Sequence, residues 1–410
     1  MRETGIDKKT LITLIALCIG WTLLYADRTA LYPLLSVIGE DYNLTSTMMG
    51  TITSSYFLVY VAMQIPSGVL ADKFGNKKLL ILSYIVAGFA LLGFGLFAKS
   101  YILLLLFTAV HGFGASSFYP CAYGIMLKTV DSKQWGIGAA IVNLGMSFGL
   151  IIGLAISGPL YLHFKSYSGI FIILAILTIL AALVFNRILP HVARDNESNS
   201  KKAFPLIQIL KNSDLLFINL AQFCALYGYW TAVTWGPTFF QEERGISIQL
   251  AGLFVAIVGV SAILPSLVIG RISDKYGRKR IALLLFPLGA ITIFLMAYAS
   301  SNITIVMSLI AYGIVGKSSW DPIAVAWAGR HATAMDKDAM GTAMGVFNFS
   351  GMMSAVIAPV VTGLIKDITG SLETAYYVAA MVSILGGVLV MFINEKPKLY
   401  AQSDDQSITL

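Results

Sequence analysis

Charge is the scarcest commodity in this sequence. Only 12% of its 410 residues are Asp, Glu, Lys or Arg, against about 25% in an ordinary soluble domain, while 57% are hydrophobic. So much apolar surface cannot be gathered into one core and has to face lipid. Histidine, at four residues, and cysteine, at three, are also scarce, and they form no cluster with metal-ligand spacing. Cys18, Cys121 and Cys224 each fall within an apolar run, where a small polarizable side chain packs, so neither a disulfide nor a metal site is expected. The chain has no Walker loop and no dinucleotide fingerprint, so nothing marks it as an enzyme, no cofactor is expected, and uphill work would have to draw on an ion gradient. The first apolar run follows a basic N-terminus as a signal peptide does. It is too long for one, contains Asp27 and Arg28, lacks a small-residue cleavage site, and is expected to be retained.

What is present, along the whole length, is a series of apolar runs of about 20 residues, each long enough to cross a hydrocarbon layer about 30 Å thick as a helix. Twelve are expected: 11–36, 47–70, 79–98, 101–127, 136–160, 167–188, 214–239, 250–271, 280–299, 303–328, 341–363 and 373–393. The net charge of +7 does not mark a nucleic-acid binder, because the cations follow topology. Apart from Arg28 and Lys317 in the middle of runs, all but Lys99, Lys165, Arg244 and Lys366 fall in the tails, in the even-to-odd loops or at the run ends that border those loops. This bias predicts a plasma-membrane protein with both termini cytoplasmic.

The longest internal polar stretch, 191–213, is nearly central and basic. It reads as a cytoplasmic linker between an N-terminal six-helix half (1–190) and a C-terminal six-helix half (214–394), with 395–410 as a cytoplasmic tail. A shift of 202 residues superposes Tyr25 on Tyr227, Gly50 on Gly252, Gly68 on Gly270, Asp72 on Asp274, Gly75 on Gly277 and Pro120 on Pro322. The clearest repeated string runs from Gly68 through Asp72 and Gly75 to Lys78, echoed from Gly270 through Asp274 and Gly277 to Arg280. Glycine permits close helix approach and a tight turn, and the aspartate can cap a helix or pair with a loop cation, so these six Gly and Asp residues are the candidate conformational gate. Parallel repeats of this kind build central cavities with alternating access.

The doubled loop resembles the signature of the major facilitator superfamily, and further strings are similar to its anion:cation symporter branch of organic-anion carriers. Tyr25-Ala-Asp27-Arg28-Thr-Ala-Leu31 resembles that branch's first helix, and Ser54 to Gly75 its second helix and loop. Trp235 to Ser247 is similar to the end of its seventh helix, and Gly345 to Gly351 to its eleventh. Together these strings span about 11–393. The resemblance implies an all-α integral membrane protein, with twelve transmembrane helices in two pseudo-symmetric six-helix halves around a central cavity lined by helices one, four, seven and ten. One departure stands out. Where many members of the branch carry Arg and Glu in the fourth helix, alignment on Pro120 places Thr108 and Ala115.

Away from the ends of the runs, every Asp, Glu, Lys, Arg and His falls on one of those four helices: Asp27, Arg28, His111, Lys317 and Asp321. A charge at mid-bilayer costs roughly 2.5–3.5 kcal/mol on insertion scales, so each calls for a function or a partner. Successive helical residues lie about 100° apart, so Asp27 and Arg28 point to different faces. Arg28 shares its face with Trp21, Leu24, Tyr25 and Tyr32; Asp27 lies among Leu23, Leu24, Ala30, Leu31 and Leu34 and faces a neighbouring helix. The guanidinium fork suits a carboxylate, and the bland alternative is that Arg28 neutralises Asp27 or Asp321. Asp27, a buried acid beside an arginine, is poised between its neutral and charged forms and is either a proton carrier or a fixed structural anion. Lys317 and Asp321, four apart, form either a static pair or a gate that releases Lys317 to substrate, and Asp321 stands with Asp27 and His111 as a candidate proton-coupling residue. His111 is a proton shuttle or a hydrogen-bonded packing residue. Tyr227, Trp230 and Asn348 join Arg28, Tyr25, Tyr32 and Lys317 as candidate substrate contacts, and Tyr229 and Asn143 are further candidates; packing is the alternative for each.

The expected protein is therefore a monomeric secondary carrier of a small organic anion, a carboxylate or sugar acid, working as a proton symporter in the lipid bilayer. A proton-coupled exporter of drugs or metabolites shares the fold, although two cavity cations favour anions over cationic drugs. A non-transporting membrane sensor is the remaining class.

Overall fold

The computed structural model describes residues 7–190, 205–336 and 339–396. Most of the expected linker, 191–204, and of the expected tail, 397–410, lies outside those residues. Among the described residues, twelve helices are long and apolar enough to cross a membrane. In chain order they are α1 (Lys8–Tyr42), α2 (Ser46–Phe74), α3 (Asn76–Phe97), α4 (Tyr101–Thr129), α5 (Trp135–Phe164), α6 (Tyr167–Ile188), α7 (Ser213–Arg244), α8 (Ile248–Tyr276), α9 (Arg278–Tyr298), α10 (Asn302–Met335), α11 (Ala339–Thr369) and α12 (Leu372–Met391). A short helix, Leu206–Lys211, precedes α7.

Local sequence sets where these helices begin, bend and stop. Asp7 caps α1 by accepting from the Thr10 amide at 2.6 Å, and Thr45 caps α2 through the Met48 amide at 3.2 Å. Along α1, Leu14, Leu17 and Leu24 are buried while Leu11, Ile15 and Ile19 are exposed, the pattern of a helix with one face on protein and the other on lipid. Pro33 tightens α1 into a 3-10 turn at Tyr32–Leu34. α10 breaks at Gly316, so Lys317 opens a second helical segment, Lys317–Met335. The paired glycines of the repeated loops, Gly75 and Gly277, have φ of +90° and +95°, a region that side chains rarely adopt, so each ends one helix and starts the next without a spacer.

The two halves meet along two seams, α2 on α11 and α5 on α8. Both seams are tightest at the end of the bundle opposite the described chain ends. There a β-carbon on Gly50 would overlap the Pro359 carbonyl, and one on Gly252 would overlap the Leu154 carbonyl. The two glycines superposed by the 202-residue repeat thus perform the same task, bringing one half's helix onto the other's backbone. Asp367 of α11 adds a polar lock, accepting from the amides of Ser46 and Thr47, both at 2.8 Å, and from the Thr47 hydroxyl at 2.6 Å. This carboxylate caps α2 from the other half of the molecule. Gln241 of α7 donates to the Pro33 carbonyl at 3.1 Å near the same end.

The opposite, terminal face is open. Among the described residues, and apart from their own helix backbone and chain neighbours, nothing lies within 4 Å of a β-carbon built on Gly68 or Gly75, and Asp72 is exposed. The close approach expected at Gly68 is therefore not made among the described residues in this conformation. Asp274 pairs with Arg278 at 2.8 Å within its own loop.

Replacing Asp367 with alanine is expected to loosen the closed end. A lost helix cap costs about 1 kcal/mol, roughly a fivefold shift in the closed-to-open ratio. Cysteine placed at Ser46 should then react faster with a membrane-impermeant thiol reagent. An unchanged rate would mean that the glycine contacts alone hold the seam.

Candidate functional site

Arg28 lies where α1 faces α7, between the halves. Its guanidinium carbon sits 3.6 Å from the centre of the Tyr25 ring, 5.2 Å from Phe57, 5.4 Å from Trp230 and 5.9 Å from Tyr56. Tyr32 and Tyr60 are also within electrostatic reach. The side chain is only 6% exposed, yet among the described residues no carboxylate pairs with it, and its Nε has no hydrogen-bond partner. Neither Asp27 nor Asp321 neutralises it. Cation–π contacts contribute about 0.5–2 kcal/mol, whereas taking an ion out of water costs several kcal/mol. A single such contact does not offset that cost, and among the described residues Arg28 has aromatic rings around it and no carboxylate to balance its charge.

Asp27 points the other way. Its Oδ2 accepts from the Thr178 hydroxyl of α6 at 2.8 Å and lies 3.7 Å from His111 Nε2 of α4. Asp27 Oδ1, His111 Nε2 and Thr53 Oγ1 are buried without hydrogen bonds. A cavity of about 20 Å³, room for a single water, is bounded by Asp27, Arg28, Tyr32, Tyr56, Thr108 and His111. This one small space touches the acid, the imidazole and the guanidinium, and much of the rest of its wall is apolar, with Leu91, Phe94, Phe107 and Phe171 among its residues.

In the second half, Lys317 Nζ is 2.6 Å from Asp321 Oδ2 and 5.4 Å from the centre of the Tyr229 ring. Gln222 Nε2 donates to Asp321 Oδ1 at 3.1 Å, and Gln222 Oε1 accepts from Trp320 Nε1 at 2.6 Å.

Not every expected site residue joins these clusters. Tyr227 is buried and turned toward Thr362 of α11, so its neighbour Trp230, rather than this repeat mate of Tyr25, meets Arg28. Asn348 is exposed and donates to Gln64 of α2 at 2.9 Å. Asn143 accepts from the Tyr123 hydroxyl at 2.9 Å. Trp21 stacks on Phe118 with ring centres 4.3 Å apart and is not part of the Arg28 shell. Sequence reasoning missed Tyr56, Phe57, Thr178 and Gln222. Tyr56 and Tyr60, four apart and stacked at 5.8 Å, did carry a helical signal, an aromatic stripe on α2.

Twelve apolar helices in two halves, packed together at one end and holding the buried cation Arg28 between the halves, are the architecture of a membrane transporter. The chain belongs to the Major Facilitator Superfamily, whose profile matches residues 17–359. It is therefore a multi-pass membrane transporter and not an enzyme. It is 26% identical to a probable sulfoacetate transporter, SauU, of Cupriavidus necator, over 95% of this chain and 94% of that one. Two Bacillus subtilis proteins are also similar. The probable galactarate/D-glucarate transporter GudP is 25% identical, covering 94% of this chain and 92% of its own length, and a hexuronate transporter is 23% identical over 94% of both. Among solved structures, the nucleoside transporter NupG superposes with a TM-score of 0.80 at 16% identity, covering 94% of this chain and 99% of that one. An inward-facing bacterial homologue of the lysosomal transporter Spinster gives 0.77 at 17% identity, covering 94% and 96%.

Proposed function

We propose that this protein is a secondary active carrier that imports a small organic anion across the plasma membrane, coupled to protons, by alternating access. The observation that carries the reading is the buried, ionically unpaired Arg28 between the halves. A carboxylate there would accept two parallel N–H bonds from the fork and supply the missing counter-charge. Its relatives point the same way, since sulfoacetate, galactarate/D-glucarate and hexuronate, the substrates for which those transporters or probable transporters are named, are all organic anions. Tyr25, Tyr32, Tyr56 and Trp230 would flank the substrate with amphipathic rings.

Asp27 is the proton carrier in this reading and His111 its partner. Their shared cavity connects them to the Arg28 side, so a proton arriving at Asp27 and an anion arriving at Arg28 would sense one another. The excess of cations in the loops of the terminal face supports cytoplasmic termini, which makes the present conformation open to the cytoplasm. Units 1–190 and 214–394 would then rock about the substrate. The Asp72 and Asp274 loops would engage only when the terminal face closes.

Reconstituted in proteoliposomes under an inward-directed proton gradient, the protein is expected to concentrate D-glucarate, a hexuronate or sulfoacetate above equilibrium. A protonophore should collapse the gradient of substrate. Failure to move any of these anions would overturn the proposal.

A further inference from the structure

Behind Tyr229 lies a second cavity, about 190 Å³, shared by both halves. The N-terminal half contributes Ser147 of α5, and the C-terminal half contributes Tyr229, Ser266, Lys317, Ser318 and Asp321. We propose that Lys317 holds the second anionic end of a two-ended substrate, and that Asp321 occupies this position until the substrate arrives. The inference rests on the organic-anion reading and narrows it to dianions.

The two cations are linked through consecutive residues of α7. Arg28 lies 5.4 Å from the Trp230 ring, Lys317 lies 5.4 Å from the Tyr229 ring, and those two rings meet edge to face at 5.2 Å. In this reading a short dicarboxylate would lie along these two rings with one end toward each cation, drawing on the space beside Arg28 and the larger one beside Lys317. Lys317 also opens the helical segment that follows the Gly316 break, so the positive end of that segment adds to its field.

Asp321 has somewhere to go. Gln222 already donates to its second oxygen at 3.1 Å, and Trp320 fixes the Gln222 amide by donating to its oxygen at 2.6 Å. A substrate carboxylate that replaces Asp321 on Lys317 leaves the aspartate bonded to Gln222 and, with a side chain 29% exposed, still hydrated. No charge is stranded, which is what makes exchange cheaper than breaking an isolated buried pair.

The test is equilibrium binding of D-glucarate and D-gluconate, which share a six-carbon chain and differ by one carboxylate. The full-length protein is expected to bind glucarate at least about tenfold more tightly, the worth of one charge-assisted contact. Lys317→Gln should erase the preference by weakening glucarate alone, and Lys317→Arg should restore it. Asp321→Asn, which removes the competitor, should tighten glucarate further. Equal affinities in the unmodified protein, or equal loss of both ligands in Lys317→Gln, would overturn the dianion assignment while leaving the organic-anion reading intact. Binding of neither ligand to the unmodified protein would remove that reading and the inference with it.

Discussion

Replacing Arg28 with alanine is expected to abolish saturable uptake of organic anions while leaving the protein folded. Losing one partner of a buried, hydrogen-bonded charge pair costs about 2–5 kcal/mol, or roughly 30-fold to several-thousand-fold in affinity. The full penalty applies at the carboxylate that Arg28 would hold, because the surrounding rings of Tyr25, Phe57 and Trp230 carry no charge to replace it and Lys317 is assigned to the substrate's other end. Stability should respond in the opposite sense from an ordinary buried ion. Arg28 has no carboxylate partner, so its removal strands no counter-charge and takes away an uncompensated cation. The unfolding temperature in detergent should therefore be unchanged or higher. Arg28→Lys keeps the charge but loses the planar fork, and partial binding is expected. Full uptake by the alanine variant would show that the anion is held elsewhere.

The fold was legible because the hydrophobic signal repeats: twelve runs, a central polar break and a 202-residue echo are properties of the chain itself. Part of the site was legible for the same reason. Helical geometry separates Asp27 from Arg28, and in the structure they turn to Thr178 and His111 on one side and to Tyr25 and Trp230 on the other. The partners were not legible, because Tyr56, Phe57, Thr178 and Gln222 meet their charges only through helix packing. Strict repeat symmetry also misled at one point. It pairs Tyr25 with Tyr227, but α7 presents Trp230 to Arg28 and turns Tyr227 to α11. Asp367 was hidden for another reason. Beside Lys366 at the end of an apolar run it reads as ordinary interfacial charge, and only the facing amides of Ser46 and Thr47 give it a role.

Asp27→Asn separates binding from coupling, and its expected effect is total on one measurement and small on the other. The substitution keeps an oxygen for the Thr178 hydroxyl, which now donates to the carboxylate at 2.8 Å, and removes only the capacity to gain and lose a proton. Because Asp27 is 1% exposed, its ionised form carries a desolvation cost of several kcal/mol that a neutral amide does not, so the fold should tolerate the change. A gradient of one pH unit stores about 1.4 kcal/mol per proton, enough for about tenfold accumulation of substrate with one coupled proton. The unmodified protein should approach that ratio in proteoliposomes, and the variant should stop at equal concentrations inside and out. Counterflow, in which labelled substrate exchanges for unlabelled with no net proton movement, should continue. His111→Gln resolves the partner's part. If the imidazole passes protons to Asp27 through their 3.7 Å approach, accumulation should be slowed without losing its final level, whereas a purely structural histidine would depress counterflow and accumulation together. Undiminished accumulation by Asp27→Asn would move the proton site away from α1. The remaining acid in the cavity walls, Asp321, would then be the group to test.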